Sequence, residues 1–96
     1  MIRLNCFVSV SAENKAAALE AAKALTACSL KQDGCVAYDT FVSATREEVF
    51  MICETWRDKE ALAAHSASAE FKKYVGEIEQ LAQLKAALAQ PGERWE

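Results

Sequence analysis

The chain has 96 residues, of which 52% are hydrophobic and 26% charged, and its formal net charge is −3. This length predicts one domain over residues 1–96, and a chain so short leaves enough surface exposed for a partner subunit to add stability. The acidic balance without a Lys/Arg cluster argues against nucleic-acid binding, and the lack of a long apolar segment argues against a membrane protein and predicts a cytoplasmic one.

A strand and a helix are predicted at the start of the chain. Ile2 to Val10 alternates apolar and polar residues as a strand does, although Phe7 lies on the otherwise polar side. An alanine-rich segment without Gly or Pro follows, and it predicts a helix over residues 14–30. Ser11 or Asn14 is the expected N-cap, because both residue types accept hydrogen bonds from free helix N–H groups.

Two strands joined as a hairpin are predicted after a turn at Gly34. They are Val36 to Val42 and Val49 to Trp56, and the short polar segment 43–48 connects them. The second of these strands is apolar on both faces, which is typical of a strand that is covered on both sides. Because helices can cover one face of a small sheet, we expect the other face to pack on a second copy, giving a homodimer through sheet faces.

The second helical element is predicted in two pieces that meet near residues 66–68. Asp58 is the expected N-cap of the first piece and Ser68 that of the second. Apolar residues at helical spacing follow Ser68, which favours a helix that packs one face on the core.

Four cysteines, at positions 6, 28, 35 and 53, share no CxxC spacing, and we expect reduced and mostly buried thiols. Cys35 and Cys53 are not expected to act as nucleophiles, because no base is adjacent to either. No metal site is predicted, since His65 is the single histidine and no two candidate ligands are close in sequence.

Between residues 34 and 71 the chain carries a specific order of motifs. They are Gly34-Cys35-x-x-Tyr38-Asp39, Glu54-x-Trp56, Asp58-x-x-Ala61-Leu62-x-x-His65 and Glu70-Phe71. This order resembles the antibiotic biosynthesis monooxygenase domain, a family of small dimeric α+β barrels that includes quinol monooxygenases. The Glu-x-Trp pair followed by the histidine is the most specific part of the resemblance.

The resemblance implies an α+β fold with the ferredoxin-like order β-α-β-β-α-β, an antiparallel sheet and a dimeric α+β barrel. It also implies a last strand near residues 83–90, although local propensity alone would continue the helix there. Residues 91–96 would form a tail after Pro91-Gly92, and Trp95 is expected to lie on the partner subunit.

The family has several activities, so the resemblance fixes the fold better than the reaction. Some members oxygenate aromatic phenols or quinols without metal or flavin, others degrade haem, and another processes a phosphorylated signalling sugar. Members of the haem-degrading branch have a tryptophan where this chain has His65, and an axial histidine near the position where this chain has Val75. That branch therefore matches this chain poorly.

The leading hypothesis is a monooxygenase without cofactor that oxidises a small aromatic or quinol substrate with dioxygen. Such an enzyme must bind its substrate in a dry cavity, remove or polarise a phenolic proton and hold the anion beside oxygen. The candidate residues are His65 and Tyr38 as catalytic groups, Glu54 as an orienting group, and Asn5, Phe7, Trp56 and Phe71 as the substrate pocket.

Each candidate also has a structural interpretation. His65 could be a helix-start histidine that holds the fold together, and Trp56 could be plain core or dimer packing. Glu54 could tie down the backbone or an arginine, and Tyr38 could be a satisfied core tyrosine. Two other functions therefore stay open: a non-catalytic barrel that binds a small hydrophobic ligand, and an isomerase acting on a small carbonyl compound.

Overall fold

The computed structural model describes residues 1–88. In chain order the elements are β1 (Ile2–Val10), α1 (Ala12–Ser29), β2 (Cys35–Val42), β3 (Val49–Trp56), α2 (Lys59–Ala67), α3 (Ala69–Leu81) and β4 (Ala82–Leu88). The strands form an antiparallel sheet in the order β2-β3-β1-β4. This is the predicted α+β, ferredoxin-like arrangement, with its second helical element divided into α2 and α3.

The two faces of the sheet have different surroundings. Side chains of directly paired residues in antiparallel strands lie on the same face, so the pairing of Val8 with Phe50 and of Cys6 with Ile52 defines the inner face. One buried cluster contains Val8, Phe50 and Ile52 of the sheet together with Leu25 of α1 and Ile78 of α3. The helices therefore cover this inner face, and the core lies between it and them.

Helix α1 lies close to the sheet because its buried face consists mainly of small side chains, namely Ala18, Ala21 and Ala22. The helix begins at Ala12, and neither predicted capping side chain caps it. Ser11 is the N-cap residue but makes no side-chain cap hydrogen bond. The amide Nδ2 of Asn14 instead donates to the carbonyl oxygen of Leu81 at 3.2 Å, which ties α1 to the end of α3.

Both predicted caps of the second helical element are confirmed. The Asp58 side chain accepts a hydrogen bond from the N–H of Ala61 at 2.8 Å. The Ser68 hydroxyl accepts one from the N–H of Phe71 at 3.2 Å, and its extended backbone separates α2 from α3. Because Asp58 and Ser68 satisfy helix N–H groups that have no partner within the helix, they fix where α2 and α3 begin.

The last strand is confirmed as β4, over Ala82–Leu88. Helix α3 ends at Leu81 because Ala82 is fully extended, with φ −154° and ψ 175°. The strand then pairs antiparallel with β1 and satisfies the backbone groups along that edge of β1. The predictions for residues 89–96, including Pro91-Gly92 and Trp95, concern residues outside those described.

The four cysteines are half-buried, against the prediction that most of them are buried. The position of Cys53 shows one reason, because it pairs with Asn5 on the sheet face that no described helix covers. Within residues 1–88, no helix is long and apolar enough to cross a membrane.

Candidate functional site

Four polar or aromatic side chains meet between the inner sheet face and α2. Glu54 and Trp56 are two residues apart on β3, so both point to the same face. Tyr38 of β2 is paired with Glu54 and joins them there. His65 of α2 packs against this group from the helix side, and its exposed fraction is only 1%.

Glu54 is a buried carboxyl group with a defined hydrogen-bond donor. The indole Nε1 of Trp56 donates to Oε1 of Glu54 at 2.8 Å, and the exposed fraction of Glu54 is 6%. Burial raises the pKa of Glu54, while hydrogen bonding to Trp56 and to Tyr38 opposes that rise. The indole that donates to this carboxyl group therefore belongs to its own strand.

The ring of His65 is enclosed by three aromatic rings. The centroid of Trp56 lies 4.4 Å away with an interplanar angle of 31°, so the indole lies against the imidazole face. Phe71 and Tyr38 meet the imidazole in edge-to-face geometry at centroid distances of 5.0 and 5.5 Å. Because rotation of the imidazole would collide with these rings, its two nitrogen atoms have fixed positions.

The two nitrogens of His65 face different neighbours. Nδ1 lies 2.7 Å from Oε1 of Gln32, a residue just beyond the end of α1. Nε2 lies 3.8 Å from Oε1 of Glu54 and makes no hydrogen bond with the described residues. Burial lowers the pKa of His65 from 6.5 to about 4, so the imidazole is neutral at pH 7.

A cavity of about 340 Å³ opens beside this group on the inner side of the sheet. Its polar side chains are Tyr38, Glu54, His65, Ser66 and Glu79. The rest of the lining is apolar or weakly polar and comes from Leu4, Cys6, Leu25, Ile52, Leu62, Phe71, Val75 and Leu84. We call Tyr38, Glu54 and His65 the polar cluster of this cavity.

Tyr38 supplies a hydroxyl group to the polar cluster. Burial raises the pKa of its phenol, and the neighbouring Glu54 carboxyl raises it further. The phenol therefore stays protonated throughout the physiological pH range. Its single O–H donates to the Glu54 carboxyl, so it reaches a ligand oxygen only by turning away from that carboxyl, and it cannot act as a base there.

The structure separates the predicted substrate-pocket residues. Phe71 lines the cavity. Asn5 and Phe7 do not, because β1 directs them to the opposite face of the sheet, where they pair with Cys53 and Met51. Trp56 does not line the cavity either. It is fully buried and lies against the imidazole of His65, so it is a wall for that ring and not for a substrate.

Sequence reasoning did not identify Gln32. It contacts His65 across 33 positions of the chain, and no local pattern marks a polar residue after a helix as a site residue. Among residues 1–88, no three His, Cys, Asp or Glu side chains are grouped so that they could hold an ion.

The chain is similar to a known protein family and to a curated protein. Residues 1–77 match the family model described as "Antibiotic biosynthesis monooxygenase". The chain is 30% identical over 81 residues to the "Putative monooxygenase YcnE" of Bacillus subtilis, an alignment that covers 84% of this chain and 85% of that protein.

Two solved structures illustrate that other proteins share this fold. A conserved protein of unknown function from Bacteroides thetaiotaomicron, described as a "Possible Oxidoreductase", is 59% identical with a TM-score of 0.90, covering 92% of this chain and 94% of that one. SnoaB from Streptomyces nogalater, described as "a cofactor-independent oxygenase", has a TM-score of 0.83 at 14% identity, covering 97% and 94% of the two chains. At that identity the similarity to SnoaB is one of fold alone.

Proposed function

The chain belongs to the antibiotic biosynthesis monooxygenase family, and from this premise we propose that it oxidises a small phenol or hydroquinol with dioxygen in the inner cavity, without metal or flavin. The observation that carries the proposal is the cavity itself. It combines apolar walls with one polar cluster of three side chains that can hold and deprotonate a hydroxyl group. Such a cavity suits an aromatic ring that carries a hydroxyl at one end.

The size of the cavity favours one or two fused rings. Its volume of about 340 Å³ is at the lower end of the roughly 300–1,000 Å³ range of ligand pockets. The ring would lie among Leu25, Ile52 and Val75, and its hydroxyl would meet Tyr38 and His65. A substrate of this kind leaves little room for bulk water, which favours a reaction between an aromatic anion and dioxygen.

His65 is the base in this proposal. Its neutral imidazole is kept in place by Trp56 and Phe71, and its Nε2 side faces Glu54 at the cavity. Removal of the hydroxyl proton converts the substrate to an anion that can transfer electrons to dioxygen. The Tyr38 hydroxyl would stabilise the developing oxyanion by turning its O–H from the Glu54 carboxyl to the substrate oxygen.

The reaction balances without another redox partner. The substrate loses its hydroxyl proton, one ring proton and four electrons. One atom of dioxygen forms a bond to the ring carbon and becomes a carbonyl oxygen, and the other leaves as water after the intermediate hydroperoxide breaks its O–O bond. SnoaB, with the same fold, is described as a cofactor-independent oxygenase, which supports this type of chemistry on this scaffold.

A homodimer through the sheet faces is the second part of the proposal. Phe41, Met51 and Phe7 are paired across three neighbouring strands and form an apolar row on the face that the described helices leave uncovered. Half of the Phe41 surface is exposed in the single chain, at 50%. A second copy packed on this row would bury it, because two such faces are complementary when related by a twofold axis.

Oxygen-18 labelling tests the function. Metal-free protein is incubated under labelled dioxygen with a panel of naphthols and hydroquinones, and the products are examined by mass spectrometry. The proposal predicts a quinone product that carries one labelled oxygen atom. Binding of the same compounds without labelled product would contradict a monooxygenase and support the ligand-binding alternative, and an isomerised carbonyl product without label would support the isomerase.

A further inference from the structure

His65 separates the inner cavity from a second, outward pocket of the protein. His65 lines the inner cavity together with Glu54, and it also lines an outer pocket of about 320 Å³ together with Gln32 and Arg57. Its Nδ1 is directed to Gln32 at 2.7 Å, and its Nε2 is nearest to Glu54 at 3.8 Å. The two nitrogens therefore belong to different environments.

The contact with Gln32 determines which nitrogen carries the proton. Neutral imidazole has one N–H donor and one bare acceptor nitrogen, and an amide oxygen can only accept. With the oxygen Oε1 of Gln32 placed 2.7 Å from Nδ1, a hydrogen bond between these two atoms requires the proton on Nδ1. Nε2 is then left as a bare acceptor.

The opposite arrangement has a specific structural cost. A proton on Nε2 would have Oε1 of Glu54 as its nearest acceptor, at 3.8 Å, which is too long for a hydrogen bond. That oxygen already accepts the hydrogen bond from Trp56. The Nε2–H group would therefore be a buried donor without a partner. A bare Nε2 is also buried and makes no hydrogen bond with the described residues, so a hydroxyl group brought against it would supply the donor that it lacks.

We propose that Gln32 is a positioning residue, which holds His65 in the Nδ1–H form so that the bare Nε2 can accept a proton from a hydroxyl-bearing substrate in the inner cavity. The proposal rests on the proposed function, because the state of Nε2 matters to turnover only if His65 is the base. When Nε2 accepts the substrate proton, the imidazole becomes a cation with both nitrogens protonated. The Gln32 oxygen then stabilises the positive charge by accepting from Nδ1–H.

Nitrogen-15 NMR of the untagged protein at pH 7 tests the proton position without any substrate. His65 is the single histidine of the chain, so a histidine-labelled sample has one pair of ring nitrogen signals. We expect Nδ1 to have the shift of a protonated nitrogen and Nε2 that of a bare one. The reverse assignment in the wild-type protein would overturn the proposal.

Substitutions of Gln32 then test the cause. Q32L removes the acceptor and is expected to shift the ratio of the two ring forms about tenfold toward Nε2–H, the effect of one lost hydrogen bond. Q32E keeps an acceptor and should keep the Nδ1–H form. Q80L makes the same chemical change on the exposed surface of α3 and is expected to leave the ring signals unchanged. If Q32L unfolds, Q32M removes the acceptor with an unbranched side chain instead.

Oxygen uptake in the same variants separates this proposal from the proposed function. We expect Q32L to lose about tenfold in kcat, with recovery in Q32E and little change in Q80L. A changed ring form in Q32L with unchanged turnover would overturn the positioning role. No oxygen uptake in the wild-type protein, together with the expected ring signals, would instead contradict the proposed function and leave the proton assignment standing.

Discussion

The indole Nε1 of Trp56 donates a hydrogen bond to Oε1 of Glu54 at 2.8 Å, and the two side chains lie together behind the ring of His65. Since Glu54 and Trp56 are two residues apart on one strand, the backbone alone holds donor and acceptor on the same face. The pair thereby gives the candidate site a buried carboxyl group and a flat aromatic wall from one short motif.

The first prediction concerns this hydrogen bond. Trp56→Phe keeps an aromatic ring but removes the indole N–H that donates to the Glu54 carboxyl, and we expect the free energy of unfolding to fall by about 2–3 kcal/mol. Glu54→Leu removes the acceptor and serves as the second single variant in a double-mutant cycle followed by urea denaturation. Independent, additive effects of the two substitutions would show that the bond contributes nothing.

The second prediction is a pH dependence of stability that comes from His65. The pKa of His65 is lowered from 6.5 to about 4 by burial, so between these values the unfolded chain binds a proton that the folded chain does not. Stability from the neutral imidazole is complete above pH 6.5 and is lost as the pH falls toward 4. The full loss corresponds to about 3 kcal/mol.

Comparison with His65→Asn isolates this effect. Glu54 has the opposite trend, because its raised pKa makes the folded state less stable as pH rises through its titration range. The wild-type protein and His65→Asn both carry Glu54, so its contribution cancels when one unfolding free energy is subtracted from the other. The change in that difference between pH 7 and pH 4 therefore measures the contribution of His65. A constant difference across that range would contradict the prediction.

The third prediction compares two glycines. Gly34 has φ +83°, and a Cβ there would meet Cβ of Ala61, while its carbonyl accepts from the N–H of Arg57 at 2.8 Å. Gly34→Ala should therefore destabilise the protein by about 2 kcal/mol or more. Gly76 lies within α3, where an added Cβ would have no heavy atom within 4 Å, so Gly76→Ala should stabilise by about 0.5–1 kcal/mol. Thermal unfolding measures the stability change in both variants, and equal changes in the two would contradict the prediction.

The fourth prediction tests the proposed dimer. Phe41→Glu places a charge in the apolar row on the uncovered sheet face and should give a sedimentation mass near the 10.5 kDa of one chain. Leu30→Glu is the control, because Leu30 is similarly exposed, at 54% compared with 50% for Phe41, but lies at the end of α1. It should leave the mass near twice that of one chain. A wild-type protein that sediments as a single chain at micromolar concentration would contradict the dimer.

The first three strands and the starts of α2 and α3 followed from local residue patterns. Strand β3 has the predicted bounds, Val49–Trp56, because a polar loop precedes it and the Asp58 cap follows it. β4 could be predicted only through the family resemblance, because its alanine and leucine content favours a helix when no neighbouring strand is considered. The start of α1 was displaced by two residues, because Asn14 reaches across to Leu81 and does not cap its own helix.

The candidate-site residues that belong to the recognised motifs could be predicted from the sequence. A contact between segments that are distant in the chain could not. Tyr38, Glu54 and His65 follow from the motif order and do come together. Asn5 and Phe7 were assigned to the pocket without knowledge of which face of β1 meets the helices, and a shift of one position reverses that face. Gln32 could not be found, because its contact with His65 depends on how α1 and α2 pack.

In the proposed reaction, His65 deprotonates a hydroxyl-bearing aromatic compound in the inner cavity so that the compound reacts with dioxygen. The direct measurement is oxygen uptake by metal-free protein with dihydroxynaphthalenes and hydroquinones, alongside His65→Asn and the surface control Gln80→Leu. We expect uptake by the wild-type protein and by Gln80→Leu, and a loss of about 10²–10⁴-fold in His65→Asn. Equal uptake in a folded His65→Asn variant, or no uptake by the wild-type protein with any compound, would contradict the claim.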